Sequence, residues 1–437
     1  MIRFKKIVFL VFLSFSTLVF SQKNSTEKRI VKSVDKNIDD AIVLLKKAIN
    51  INSGTMNFKG VKEVGALFKT ELDQLGFETK QTSGEAYNRA GHLIAVRKGK
   101  KNGPKILMIG HLDTVFEEDS PLQEFIMVND SIIKGPGVAD MKGGDVIIIL
   151  AMKALKEAGV LDDLSIEIIM TGDEEKSGDP IELSKKDLID AAKRADIALG
   201  FENGDNRTET IVVSRRGSAD WKLTVTGNAA HSSQIFTKEI GAGAIYEASR
   251  ILNEFYEQLS NEKDLTFNPG FVLGGTSLEI DTDETGGTTF GKNNVVAQTA
   301  FVHGDLRATS PEQLEKAKET MLKIINNNYP NTTAKIIFGK GAYPPLAMTK
   351  GNLELLSQYN NVSKDLGFGA VEAVNPRNAG AADISFTSGY VEMAIDGLGL
   401  TGGSGDHTIN EIGNLNSVAQ KAKITAVLLH RLLNAKK

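Results

Sequence analysis

Residues 165–179 read "SIEIIMTGDEEKSGD", a stretch that begins as a strand and ends in acid. The first six residues are mostly β-branched or apolar, the composition of a buried strand. Asp173, Glu174 and Glu175 then stand side by side, and Lys176 is the only cation within the stretch. Adjacent like charges repel, and carboxylates leave water only where positive charge meets them. The stretch is therefore either a solvated acidic turn, the common fate of a short charge run, or the seat of a cation.

The surrounding sequence has the same rhythm of strand, loop and helix. "HLIAVRK" (92–98), "PKILMIGH" (104–111) and "ADIALGFE" (195–202) read as strands. "GGDVIIILAMKALKEAG" (143–159) and "KKDLIDAAKR" (185–194) read as helices, the first ended by Gly159. Upstream, "IDDAIVLLKKAI" (38–49) and "GVKEVGALFKTELDQLG" (60–76) repeat apolar residues at helical spacing, with Gly76 as a stop. This alternation predicts an α/β fold whose mixed, largely parallel sheet is flanked by helices.

The pattern changes at Ser214. "SADWKLTVTG", "LTFNPGFVLGG", "NVVAQTAFVHGDLRA" and "TAKIIFG" read as strands. "GAGAIYEASRILNEFYEQL" and "SPEQLEKAKETMLKIINN" read as helices, the latter with Ser310 as N-cap and Pro311 at the first helical position. The order βαββαβ is a split βαβ, ferredoxin-like unit. It divides a catalytic domain at 22–213 and 334–437 by an insertion at 214–333. Two further helices, 351–367 and 417–434, complete the second part.

Composition narrows the function. A chain of 437 residues with 41% hydrophobic and 24% charged residues is globular and long enough for two cores. The formal charge of −4 offers no footprint for nucleic acid. The N-terminus is different. "MIRFKK" is basic, "IVFLVFLSFSTLVF" is an apolar run of 14 residues, and Val19 and Ser21 suit the −3 and −1 positions of a cleavage site. Residues 1–21 therefore read as a secretory signal peptide, too short for a bilayer span. Its removal takes basic residues from 51 to 48 against 55 acidic, a mature charge of −7. The expected destination is secreted, periplasmic or extracellular, with no membrane association after cleavage. With no cysteine, the exported chain has no disulfides, and any metal site must use His, Asp and Glu, which suits zinc, manganese or cobalt.

Only six histidines occur, so their places carry information. His111 closes a strand, and Asp113, two residues on, falls on the same side of an extended chain and can approach its ring. Asp140 lies in "GPGVADMKGGD", a glycine-rich loop where an aspartate would ordinarily cap the next helix. Glu174 and Glu175 follow the next strand, Glu202 ends the one after, and His407 lies in the glycine-rich "GGSGDHTINE". Most of these fall at the carboxyl ends of strands, where open α/β sheets bind ligands. Five carboxylates and two histidines gathered at one edge need positive charge, and a pair of divalent cations supplies it.

The segments "IGHLDTV", "GPGVADMKGG", "TGDEEKSG", "GFEN" and "GDHTINE", in this order, resemble those of the co-catalytic zinc exopeptidases, the family of carboxypeptidase G, aminoacylase-1 and succinyl-diaminopimelate desuccinylase. The resemblance implies that His111 and Glu202 hold one zinc and Glu175 and His407 the other, with cobalt or manganese as alternatives. Asp140 would bridge them, Asp113 would orient His111, and Glu174 would be the general base. Glutamate at 202 resembles the branch acting beside a free carboxylate. On the inserted unit, which the resemblance makes a lid and a homodimer surface, His231 would help hold the oxyanion in the partner subunit's site. Arg307 would clamp a substrate carboxylate, and Asn294 would line the same pocket. Ser177 and Ala382 depart from the family pattern, outside the ligand set. The implied activity is hydrolysis of an amide or peptide bond in a peptide or N-acyl amino acid, with release of glutamate or another amino acid. The alternatives are a dipeptidase or aminopeptidase, an N-acyl amino acid deacylase, and a non-catalytic periplasmic ligand-binding protein.

Overall fold

The computed structural model describes residues 25–282, 284–339, 343–403 and 405–435; the expected signal peptide lies outside them. Six strands form the main sheet in the order Glu78–Gln81, Leu93–Arg97, Ser165–Thr171, Lys105–His111, Ile197–Gly200, Met393–Ile395. The first two pairings are antiparallel and the other three parallel, the mixed and mainly parallel sheet expected.

Strand alternation explains how the sheet is covered. Ile106, Met108, Ile166, Ile168, Ile197 and Leu199 join the core beneath the helices Ser25–Ile49, Phe58–Leu75, Gly143–Glu157 and Leu415–Asn434. Leu107, Ile109, Ile169 and Ala198 point the other way, onto Leu188, Ala191, Ile384 and Phe386. Helix Gly143–Glu157 is buried almost throughout, so its Ile147–Ile149 run stays helical by tertiary packing rather than propensity. Gly76 ends Phe58–Leu75 at φ 86°, a left-handed cap that glycine adopts without strain.

The inserted unit is a four-stranded antiparallel sheet in the order Thr266–Gly275, Thr299–Arg307, Ala219–Thr226, Thr333–Phe338. Helices Ala244–Leu259 and Pro311–Ile325 pack on it around a separate core that includes Trp221, Val302, Phe255 and Met321. Gly304 lies under Trp221, where a Cβ would come within 2.3 Å of the indole. Three details differ from expectation. Strand Thr333–Phe338 belongs to this sheet, so it crosses the expected 333/334 boundary. The strand expected from Asn294 starts only at Thr299. A hairpin of Ser277–Ile280 and Gly287–Phe290 extends the unit; its strands are four residues each, none of them buried, and have little apolar periodicity to reveal them.

The two linkers between core and insertion pair with each other. Arg215 and Leu346 exchange backbone hydrogen bonds of 3.0 Å, and the Ser218 amide donates to the Tyr343 carbonyl at 3.0 Å. Among the described residues no helix is long and apolar enough to cross a membrane.

Candidate metal centre

Parallel register brings the acids together. His111 pairs with Thr171 and Ile109 with Gly200, so Glu174, Glu175 and Glu202 leave neighbouring strands just past the end of His111's own strand. Asp140 comes from the loop before helix Gly143–Glu157, at φ −120° and ψ 88°, and it caps nothing: the residue at the cap position is Lys142. His407 comes from the loop before strand Ile412–Asn414.

Two candidate ligand sets result, and they share Asp140. His111 Nε2 lies 3.0 Å from Asp140 Oδ1 and 3.4 Å from Glu202 Oε1. His407 Nε2 lies 3.0 Å from Asp140 Oδ2 and 3.3 Å from Glu175 Oε2. Within each set the candidate donor atoms lie within 4.8 Å of one another. His111 is 1% exposed and His407 side chain 55%, so one set is enclosed and the other opens to solvent.

The electrostatics show a deficit of positive charge. Burial pushes the Glu174 carboxyl well up, and Glu202, Asp383 and Asp140 add to it against His111. Burial and then Asp140 do the same to Glu175. Burial and Asp140 push Glu202 up to about 7. Asp140 itself is held low, because hydrogen bonds from His111 and His407 outweigh its burial. Glu175 Oε1 is buried without a hydrogen-bond partner. Imidazole nitrogens and carboxylate oxygens are donors for zinc and similar divalent ions, and an ion in each set would remove the deficit.

The shell around the ligands is built from the same loops. His111 Nδ1 meets the Asp113 carbonyl at 3.0 Å and the Asp113 carboxylate only at 3.5 Å. That carboxylate instead accepts from Thr55 Oγ1 and from the amides of Glu174 and Glu175, at 2.7, 3.1 and 3.2 Å. Asp113 therefore places the two glutamates as well as the histidine. Asp173, the first of the three acids, takes no part in either set: Lys185 meets it and Asp383 at 3.0 Å each, all three buried. The buried cation missing near the acid run thus exists for Asp173, twelve residues away on the far side of a loop.

His231, Asn294 and Arg307 are not brought to this cluster. His231 is exposed and bonds Ser233, the Asn294 carbonyl accepts from the Ser232 amide at 2.9 Å, and Arg307 pairs with Asp305 at 3.0 Å. His231 and Asn294 are thus neighbours on the insertion. Sequence reading also missed two supports. Glu411 accepts from the amides of Gly137, Ala139 and Asp140 at 3.3, 2.9 and 3.2 Å and fixes the loop that carries Asp140; burial, helped by Asp140, pushes it up to about 8. Its place in "GDHTINE", four residues past His407, was the available signal. Asp396 accepts from the Glu202 amide at 3.2 Å and from Arg215 at 2.7 Å.

The chain is similar to known proteins in sequence and in fold. The family model described as peptidase family M20/M25/M40 matches residues 107–431. Carboxypeptidase G2 of Pseudomonas sp. (strain RS-16) is 27% identical over 363 residues, 83% of this chain and 81% of that protein. The fold is shared with aminopeptidase PepT of Bacillus cereus, at a TM-score of 0.69 and 18% identity, over 91% of this chain and 99% of that one. It is shared also with the YXEP protein of Bacillus subtilis, described as a dinuclear metal binding peptidase, at a TM-score of 0.64 and 15% identity, over 92% of this chain and all of that one.

Proposed function

The chain belongs to peptidase family M20/M25/M40, a metallopeptidase family, and on that premise we propose that it hydrolyses an amide or peptide bond beside a free carboxylate, releasing glutamate or a similar amino acid. The observation that carries the reading is Asp140, whose two oxygens each lie 3.0 Å from a different histidine, so that one carboxylate serves both ligand sets. Two divalent cations, zinc first, would be held by His111, Asp140 and Glu202 and by Asp140, Glu175 and His407. Bound there, such ions polarise a carbonyl and lower the pKa of water toward ~7.

The chain's own residues divide the remaining work. Glu174 takes the proton of the attacking water on its carboxylate and delivers it to the leaving nitrogen. Burial, with Glu202, Asp383 and Asp140 beside it, raises its affinity for protons above that of an ordinary carboxylate. Asp113 holds the Glu174 amide, so the base sits at a fixed place relative to His111. Arg307, a planar two-pronged donor, is assigned to the substrate carboxylate. His231 and Asn294 are assigned to the partner's site in a homodimer formed through the insertion. Export is proposed on the pattern of residues 1–21, and N-terminal sequencing of the mature protein tests it.

Likeness to carboxypeptidase G2 over most of both chains supports the carboxypeptidase reading over the aminopeptidase one. The test is a panel of N-acyl and peptidyl glutamates against free dipeptides, with zinc-loaded and chelated protein. Preference for free dipeptides replaces the carboxypeptidase reading with a dipeptidase one. Activity that survives chelation refutes the metal assignment.

A further inference from the structure

Glu174 is held at both ends of its peptide. Its amide donates to Asp113 Oδ1 at 3.1 Å, a group of the core. Its carbonyl accepts from the Tyr343 hydroxyl at 2.9 Å. Tyr343 is not part of the core sheet or of the ligand loops. It sits on the return linker from the insertion, paired through its carbonyl with Ser218 on the outgoing linker. The same hydroxyl meets Ser177 Oγ at 3.0 Å, further along the acid loop, and Asp383 Oδ1 at 3.4 Å. The Tyr343 ring packs edge-on against Phe386, with centroids 4.9 Å apart. Packing thus fixes the ring, and its single hydroxyl reaches the loop that carries the base.

We propose that Tyr343 is a positioning residue that ties the place of Glu174 to the place of the inserted unit, so that linker movement shifts the base. This rests on the assignment of Glu174 as general base. The linker pair is built for close register. A Cβ on Gly217 would lie 2.7 Å from Pro345 N and 2.8 Å from the Tyr343 carbonyl, so the two strands approach each other only with glycine there. The second linker anchor reaches the opposite side of the site: Arg215 binds Asp396, which accepts from the Glu202 amide. Closure of a lid that completes a catalytic site commonly works through such terminal hinge residues.

Tyr343→Phe keeps the ring and deletes the hydroxyl. Hydrogen exchange followed by mass spectrometry on full-length, zinc-loaded protein should show faster exchange in residues 171–180, with the strands of the insertion unchanged. This reading does not depend on turnover, and unchanged exchange in 171–180 overturns the proposal. With an N-acyl glutamate as substrate, kcat should fall about tenfold while KM and zinc content hold. In a Glu174→Gln background the same change should add less than about twofold, because the two residues act through one group. Full additivity, or zinc loss in step with kcat, overturns the proposal. Gly217→Ala, which crowds the linker and leaves the hydroxyl in place, should lower kcat in the same way; full kcat in it refutes the link to the linker. If Glu174→Gln is itself fully active, the base assignment fails, whatever the exchange data show for Tyr343.

Discussion

Lys185 neutralises two buried acids at once, and its removal should reverse the sign of their contribution to the pH dependence of stability. The ammonium lies 3.0 Å from Asp173 Oδ1 and 3.0 Å from Asp383 Oδ1, so the two oxygens are at most 6.0 Å apart. It is fully buried, above the rings of Tyr343 and Phe386. Lys185→Met keeps the apolar stem and deletes the charge. Breaking a buried pair by removing one partner costs roughly 3–5 kcal/mol, chiefly through the uncompensated charge left behind. Here two carboxylates are left, so one proton held between them becomes the cheapest relief. In the parent, burial raises the Asp173 carboxyl, but Lys185, His92, Ser184 and the Gly178 amide outweigh it and hold it below its ordinary range. A depressed carboxyl stabilises the fold above its unfolded pKa and loses that contribution only in acid. In the variant the native state binds the extra proton, so stability falls as pH rises, by about 1.4 kcal/mol per unit for one proton. The deficit relative to the parent should be about 1 kcal/mol at pH 5 and about 5 kcal/mol at pH 8. For a core of this size that is roughly 2 °C growing to 7 °C in Tm, read by calorimetry on both proteins under the same metal loading. A deficit independent of pH, or one that widens toward acid, refutes the reasoning.

Asp140→Asn should lose both metal ions and His407→Ala only one, as counted by elemental analysis after dialysis; equal losses would contradict the shared carboxylate. Glu174→Gln should keep both ions and lower kcat by about 10²–10⁴-fold, measured with an N-acyl glutamate. Lys421 is buried against Tyr359 with its ammonium on the Gly397 carbonyl at 2.9 Å, and burial brings it down to about 8. The folded state therefore carries a penalty below pH 8 that fades as pH rises toward 10.4, and Lys421→Met should be more stable by about 3 kcal/mol at pH 7, with the gain gone near pH 10 in denaturant titrations.

The elements that reading the sequence found share one property, a local signal. The strand ending at His111 and the helix closed by Gly76 are written in periodicity and punctuation within a dozen residues. The convergence of His111, Glu174, Glu175 and Glu202 followed from one rule about where parallel strands end, and the register of Ile109 with Gly200 realises it. What stayed hidden are contacts whose partners lie far along the chain. Lys185 reaches Asp383 across the whole inserted unit, and nothing in "LSKKDL" distinguishes it from the solvated Lys186 beside it. Tyr343 and Arg215 carry no signal in sequence because linker backbone has no period. The acid run at 173–175 shows the division most directly. Its three carboxylates look alike in sequence, but the strand end and the tight turn after it aim them at different neighbours. Asp173 meets an ammonium, Glu175 meets His407, and Glu174 has its peptide fixed from both sides while its carboxylate stays uncommitted. A uniform run of charge becomes a structural ion pair, a proposed ligand and a proposed base because burial forces each group to find its own compensation.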